Sequence, residues 1–289
     1  MTPEPVPGRP DIYRLDVPMF EMKGTTSPYV LDTPEPVLID TGPADAAEPI
    51  LDALEAVGIA PADLTYIVPT HAHLDHAGGA GHLTPLCENA TVVCHPDAAP
   101  FLTDKAKLEH LARSVERAIG MPEPYGKPRV IDRKRCSVLG DGDSLDVGDR
   151  ELQVIDAPGH APHQFCLYDP VGDVLFSADA NGMSLDDGHR PTTPPPDFDL
   201  GSAVETIERL QEIGPDTLCY AHFSWGDPGE GTAELREYAE MLDTFVKQVE
   251  TARDEHGDDV PAVANALREG WGHWTLETDV AGVLRYLRT

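Results

Sequence analysis

Apolar positions recur along the chain with two different periods, which predicts a mixed α+β fold. Short apolar runs that end in turn residues predict strands at 12–17, 29–31, 37–39, 65–68, 91–94, 136–139, 144–147, 151–155, 165–168, 174–177 and 217–220. Apolar residues spaced by three or four predict helices at 45–57, 80–86, 97–119, 200–213, 232–255, 260–268 and 277–287. We expect the early strands to form a first sheet and the five strands between 136 and 177 to form the second half.

A dense group of metal-binding side chains follows one of the predicted strands. The stretch THAHLDHAGG contains His71, His73, Asp75 and His76, and a pair of glycines ends the loop. Neutral imidazole and carboxylate are the usual ligands of zinc and related first-row metals. His71 and His73 can point the same way in extended backbone, whereas Asp75 and His76 are adjacent and diverge from them. The spacing therefore favours two neighbouring metal ions over one.

Three further candidate ligands stand just past other predicted strands. His160 follows strand 151–155, Asp179 follows strand 174–177, and His222 follows strand 217–220. Side chains placed just past such strands can meet at one edge of a sheet. We therefore expect these three residues to complete the metal site.

The motifs are similar, in their order, to the five signature motifs of the metallo-β-lactamase-fold hydrolases, over roughly residues 11–225. They are IDTG at 39–42, THAHLDH at 70–76, APGH at 157–160, SAD at 177–179 and AHF at 221–223. The resemblance implies a four-layer αββα sandwich with additional C-terminal helices. It also implies a single domain over 1–289, with a core at about 11–225 and a helical extension at about 229–289.

The same resemblance assigns roles to individual residues. His71, His73 and His160 would hold the first metal; Asp75, His76 and His222 would hold the second; Asp179 would bridge the two. Asp40, in the first motif, would orient a ligand imidazole. We expect two divalent cations, with zinc preferred over iron or manganese. The catalytic candidates are Asp75 and His163, where His163 donates to the substrate, supports a ligand, or is an ordinary polar loop residue.

The implied activity is hydrolysis of a small acyl compound by a metal-bridging hydroxide. True β-lactamases of this fold lack an acid at the position of Asp179, whereas the thioesterase, lactonase, phosphodiesterase and ribonuclease relatives have one. A thioester, lactone or ester is therefore the expected substrate. The alternatives are an iron-dependent persulfide dioxygenase and a phosphodiesterase or ribonuclease. Glutathione-binding basic residues, as in glyoxalase II, have no evident counterpart, because Arg236, Lys247 and Arg253 are scattered.

Charge and composition indicate the environment and the binding partners of the protein. The net charge is -30, and the 51 acidic residues form no single-sign block, which predicts a halophile's cytoplasmic protein with little affinity for nucleic acid. A run of about 18 apolar residues and a signal-peptide pattern are both missing, so we expect no membrane association. Five cysteines without a CxxC pair predict buried free thiols. The proline-rich stretch 188–199 is either a connector or a wall of the substrate pocket, and the oligomeric state, a homodimer included, stays open.

Overall fold

The computed structural model describes residues 1–186 and 188–289. The strands of this part of the chain, in order, are β1 (Glu4–Val6), β2 (Arg9–Arg14), β3 (Val17–Met19), β4 (Met22–Thr26), β5 (Tyr29–Leu31), β6 (Val37–Ile39), β7 (Tyr66–Val68), β8 (Thr91–Cys94), β9 (Cys136–Val138), β10 (Ser144–Asp146), β11 (Glu151–Asp156), β12 (Phe165–Asp169), β13 (Val174–Ala178), β14 (Met183–Leu185), β15 (Gly188–Arg190) and β16 (Thr217–Tyr220). Most predicted strands are confirmed within one or two residues. The hairpin β3–β4 was missed, because the chain turns at Phe20 and Glu21, two residues that are not typical of turns.

Except for the one-turn helix α2, the α-helices lie where the apolar spacing predicts them. They are α1 (Ala47–Ala56), α2 (Leu74–Ala77), α3 (Ala80–Leu83), α4 (Ala99–Thr103), α5 (Lys105–Ile119), α6 (Leu200–Ile213), α7 (Gly231–His256), α8 (Val260–Trp271) and α9 (Leu276–Tyr286). The predicted helix 97–119 is divided at Asp104, whose extended backbone ends α4. The Asp104 carboxylate accepts hydrogen bonds from the N–H groups of Ala106 and Lys107, and this cap starts α5.

Two sheets face each other across an apolar core. The first has the strand order β1-β2-β5-β6-β7-β8-β9 and the second β10-β11-β12-β13-β16. Ile12, Leu31 and Val68 from the first sheet pack with Phe165 and Phe176 from the second, and all five are almost completely buried. Alternation along each strand sends these side chains inward, so the sheets are held together by apolar burial.

One predicted strand belongs to the other half of the fold. Strand β9 was expected in the second sheet, but it pairs in parallel with β8, with Val92 opposite Cys136. The expectation was wrong because a short apolar run specifies a strand without specifying its neighbour. The long helical segment between β8 and β9 provides the crossover that a parallel pair needs.

Helices cover the outer face of each sheet. Helix α1 buries Ile50 and Leu54 against the first sheet, and α3 buries Leu83 there. Helices α6 to α9 cover the second sheet, where Ile207 and Phe245 are fully buried. The layers are thus helix, sheet, sheet and helix, and the expected αββα sandwich with C-terminal helices is confirmed.

Three smaller features can be compared with the sequence. The proline-rich stretch 188–199 begins with a short strand, since 188–190 pairs with β14 and the prolines begin only at Pro191. All five cysteines are free, and four are buried while Cys136 is partly exposed. Among the described residues, no helix has the length and hydropathy needed to cross a membrane.

Candidate metal centre

The histidine-rich loop begins where β7 ends. His71 and His73 lie in the connection, and Asp75 and His76 lie on the one-turn helix α2 rather than on the simple turn that we expected. Gly78 allows this tight path, because a Cβ there would lie 2.3 Å from the carbonyl oxygen of Leu74. Successive helical side chains diverge by about 100°, so Asp75 and His76 approach the site from different sides.

The three other predicted ligands meet this loop at the same edge of the two sheets. His160 follows β11, Asp179 directly follows β13, and His222 follows β16. The Nε2 atom of His160 lies 2.9 Å from Nδ1 of His73, and Nε2 of His222 lies 3.2 Å from Nε2 of His76. All seven predicted ligands are therefore brought together.

Their donor atoms form overlapping groups. His71, His73 and His160 make one group, Asp75, His76 and His222 make another, and the donor atoms within each group lie within 4.8 Å of one another. Asp179 stands between them: its Oδ2 is 3.2 Å from Nε2 of His160, and its Oδ1 is 3.4 Å from Nε2 of His222. This position suits a carboxylate that bridges two cations.

The residues present fit divalent cations. Nε2 of His71 and Oδ1 of Asp179 are buried without a hydrogen-bond partner among the described residues. Buried polar atoms normally have partners, so these two atoms indicate that a further ligand belongs between them. Imidazole nitrogens with carboxylate oxygens are the donor set that zinc and other first-row metals prefer.

Burial and neighbouring charges keep most of these groups in the protonation state that binds a cation. Burial, followed by the neighbouring imidazoles, lowers the pKa of His71 and of His73 well below the usual value, so both rings are neutral donors. Burial alone would raise the pKa of Asp179, but His160, His76 and His222 outweigh it and lower that pKa. For His76, burial opposes the charged form, yet Asp179, Asp40 and Asp75 raise its pKa, so a metal ion must displace its proton.

Contacts behind the ligands fix the orientation of three rings. Asp40 Oδ2 lies 2.9 Å from His76 Nδ1, as expected, and Asp40 Oδ1 accepts a hydrogen bond from the Thr70 N–H at 2.8 Å. His160 Nδ1 donates to the Thr192 carbonyl at 3.1 Å. His222 Nδ1 likewise donates to the Thr25 carbonyl at 2.6 Å. Each contact leaves Nε2 facing the other ligands, as expected for metal-binding histidines.

His163 occupies a different place from the other candidates. It is 6% exposed, it does not line the cavity at the centre, and its Nδ1 accepts a hydrogen bond from the Ala72 N–H at 3.4 Å. Burial lowers its pKa to about 4. This position favours support of the ligand loop over donation to a substrate.

A cavity of about 470 Å³ opens onto the centre. Side chains of His73, Asp75 and His222 reach it, and apolar side chains such as Phe20 and Trp274 line the rest. Tyr125 also lines it, and its pKa is raised by burial and then by Asp75 and Asp179, so its hydroxyl keeps its proton. Tyr125 could not be recognised from the sequence, because a single tyrosine in a long insertion carries no motif.

Two segments without motifs form one wall of the cavity. Thr192, Pro194 and Pro195 belong to the proline-rich stretch, and residues 273–279 belong to the C-terminal helices. The predicted role of the proline-rich stretch as a pocket wall is confirmed for these residues. Phe223 and Trp225, which follow His222 in the chain, lie outside the cavity lining and instead stack against the Arg14 guanidinium, 4.1 and 4.6 Å from the ring centroids.

Comparison with known proteins identifies the class. Residues 24–222 match the family described as the metallo-beta-lactamase superfamily. The chain therefore belongs to the metallo-beta-lactamase superfamily, a class of metallohydrolases.

Individual relatives agree with this assignment. The metallo-beta-lactamase fold-containing protein ST1585 of Sulfurisphaera tokodaii is 30% identical over 161 residues, which cover 55% of this chain and 60% of that protein. The N-acyl homoserine lactonase AiiA of Bacillus thuringiensis is 27% identical over 212 residues, covering 64% of this chain and 74% of the relative. The solved structure of TTHA1429, a metallo-beta-lactamase family protein from Thermus thermophilus, has the same fold, with a TM-score of 0.70, 21% identity and coverage of 96% of this chain and 93% of that one.

Proposed function

We propose that this protein is a dinuclear, metal-dependent hydrolase of a small acyl substrate, namely a thioester, lactone or ester. The observation that carries the proposal is the position of Asp179, whose two oxygens face His160 on one side and His222 on the other. A carboxylate placed in this way can hold two cations side by side. Zinc is the preferred metal, because imidazole nitrogens dominate the donor set.

The ligands and the cavity have separate tasks in this scheme. When bound, two divalent cations polarise a carbonyl group and lower the pKa of water towards neutrality. The seven ligands would hold these cations beside the cavity, while Phe20 and Trp274 offer an apolar surface for the acyl group. Tyr125 retains its proton, so its hydroxyl can donate a hydrogen bond to a substrate oxygen.

The relatives support carbonyl chemistry, since N-acyl homoserine lactonases are among them. The buried acid Asp179 argues against β-lactam hydrolysis, because true β-lactamases of this fold lack an acid at this position. A persulfide dioxygenase and a phosphodiesterase remain as alternatives, and they differ from the proposal in the substrate and in the bond that breaks.

A panel of substrates tests the proposal. We expect turnover of short thioesters and lactones, and none of penicillin, persulfide or oligoribonucleotide. Asp75→Ala removes one ligand of the second group and should lower kcat by about 10²- to 10⁴-fold. Asp63→Ala is the matched control and should leave the rate unchanged, because Asp63 is exposed and precedes β7, whereas the metal-binding loop follows it. Full activity of Asp75→Ala, or faster cleavage of RNA than of every carbonyl compound, would overturn the proposal.

A further inference from the structure

A second cavity lies beside the metal centre. It has a volume of about 610 Å³ and is formed between α5 and the segment 123–130. Its interior is apolar, with Leu108 and Val130 among its lining residues. Leu74, Val115 and Tyr125 line both this cavity and the one at the metal centre, so these three side chains form the wall between them. A substrate longer than a short acyl group could occupy both spaces.

The second cavity coincides with a concentration of positive charge. Residues 105–135 carry nine of the 21 Lys and Arg residues but only four of the 51 acidic residues. This segment therefore has a net charge of +5, within a chain whose net charge is -30. The net charge predicted little affinity for nucleic acid, and it does not reveal this local cluster of basic residues. The charge count over the whole chain hid a local excess.

Four of these basic side chains line the cavity, together with three acidic ones, Glu109, Glu116 and Glu123. Two of the four basic side chains have no ionic partner among the described residues. Lys105 and Lys127 each pair with a glutamate four residues away in sequence. Arg113 on α5 and Arg129 on the facing segment make no ion pair within residues 1–186 and 188–289, although acidic residues outnumber basic ones by more than two to one. An arginine fork matches the geometry of phosphate and carboxylate oxygens, so an unpaired arginine on each wall suits an anionic ligand.

We propose that this second cavity binds the phosphate-bearing leaving group of the substrate. The inference rests on the proposed hydrolase function and names its substrate class: an acyl thioester or ester whose thiol or alcohol carries phosphate. The acyl group lies in the apolar cavity at the metal centre, and the phosphates lie between Arg113 and Arg129. In the reaction, a water oxygen bonds to the acyl carbon and the carbon–sulfur or carbon–oxygen bond breaks. One proton of the water goes to the leaving atom, and the other is released as the carboxylic acid ionises.

The charge distribution favours a compact anion over a long one. Outside residues 105–135 the chain has a net charge of -35, so an extended polyanion such as RNA would meet a repulsive surface beyond the cavity. A small phosphorylated group stays within the basic region. We therefore expect the protein to discriminate between these two kinds of phosphate compound.

A pair of thioesters with the same acyl group tests the proposal. Butyryl-coenzyme A has a phosphorylated leaving thiol, and butyryl-N-acetylcysteamine has a neutral one. Arg113→Gln and Arg129→Gln should each raise KM for the phosphorylated thioester by about tenfold, since each removes one charge-assisted contact. The kcat for both thioesters and the KM for the neutral one should stay within about twofold. Arg236→Gln is the matched control and should change nothing, because Arg236 is an exposed arginine on α7 with no ion pair to any residue that the structure describes.

Binding of a compound without an acyl group separates this proposal from the function on which it rests. Adenosine 3′,5′-bisphosphate should bind to the metal-loaded protein in equilibrium dialysis, and both arginine variants should weaken that binding by about tenfold. If neither thioester reacts but this binding is present, the proposed hydrolase function fails and the phosphate site stands. If the neutral thioester reacts as well as the phosphorylated one and the variants match wild type, the phosphate site fails and the hydrolase stands. Tighter binding of an oligoribonucleotide than of the bisphosphate also overturns the inference.

Discussion

Asp279 on α9 connects the C-terminal helices to the metal centre, and its replacement should affect both stability and metal binding. The side chain is 2% exposed. Its Oδ1 accepts a hydrogen bond from the Thr193 N–H at 2.5 Å, and its Oδ2 lies 2.9 Å from Nε2 of His273 and accepts a bond from the Thr275 hydroxyl at 2.7 Å. The backbones are also in close contact, because a Cβ on Gly282 would lie 1.7 Å from the Thr193 carbonyl oxygen.

Thr192, the residue before Thr193, contacts two of the proposed ligands. The carbonyl of Thr192 accepts the hydrogen bond from His160 Nδ1 at 3.1 Å. The Thr192 hydroxyl donates to the backbone carbonyl of Asp179 at 2.8 Å. A change at Asp279 that moves the segment 192–193 therefore alters the orientation of His160 and the position of Asp179.

The expected magnitudes follow from the groups that lose a partner. Asp279→Ala leaves the buried Thr193 N–H and Nε2 of His273 without their partner, which should lower the free energy of unfolding by about 4 kcal/mol. Asp279→Asn keeps an acceptor for Thr193, so its loss should be only about 1–2 kcal/mol. Because His160 loses its fixed orientation, metal affinity should fall by about 10- to 100-fold in the alanine variant and less in the asparagine variant.

Urea unfolding of the metal-free protein and metal competition against a chelator measure the two effects separately. Asp258→Asn is a suitable control, since this residue also lies in the C-terminal region but pairs with Arg253 and Arg288 at the surface. It should leave both the stability and the metal affinity close to wild type, since surface ion pairs contribute little. Wild-type metal affinity in Asp279→Ala, despite reduced stability, would refute the connection through Thr192.

Three further predictions concern the cavity, pH and salt. Tyr125→Phe should lower kcat for acyl substrates by about tenfold without changing the metal content, as measured by steady-state kinetics; an unchanged kcat would remove the hydroxyl from the scheme. Burial lowers the pKa of His163 to about 4, so between about pH 6.5 and pH 4 this residue binds a proton in the unfolded chain but not in the folded protein. Up to about 3 kcal/mol of stability should therefore be lost as the pH falls through that window. His163→Gln should flatten the decline in pH-dependent urea unfolding, and an equally steep decline in this variant would contradict the assignment. Dilution from molar salt to about 50 mM lengthens the Debye length from about 3 Å to over 10 Å, so the melting temperature should fall; an equal melting temperature would argue against a halophile's protein.

The ligand residues could be predicted from sequence because each stands just past an apolar run. His160, Asp179 and His222 are far apart in the chain, yet the strands before them end at one edge of the fold. The position of a strand end is a local property, and the local pattern of apolar residues contains it. The same holds for the three C-terminal helices, whose apolar spacing was regular throughout.

Contacts between segments that are distant in sequence were harder to predict. The pairing of β9 with β8 depends on the path of the intervening helices, and the apolar pattern of residues 136–138 contains no information on it. Tyr125 and Asp279 reach the cavity from segments without any motif, and only tertiary packing brings them there. The basic region at 105–135 is a different case, because a charge count over a moving window would have found it in the sequence.

The metal content of the purified protein tests the central claim most directly. In the proposed scheme, two groups of three ligands, joined by Asp179, would hold two cations per chain. Elemental analysis after dialysis in matched salt should therefore give close to two divalent metal ions per chain, with zinc in excess over iron. A reproducible single iron per chain would contradict the account, because Asp75, His76 and His222 would then have no metal to bind.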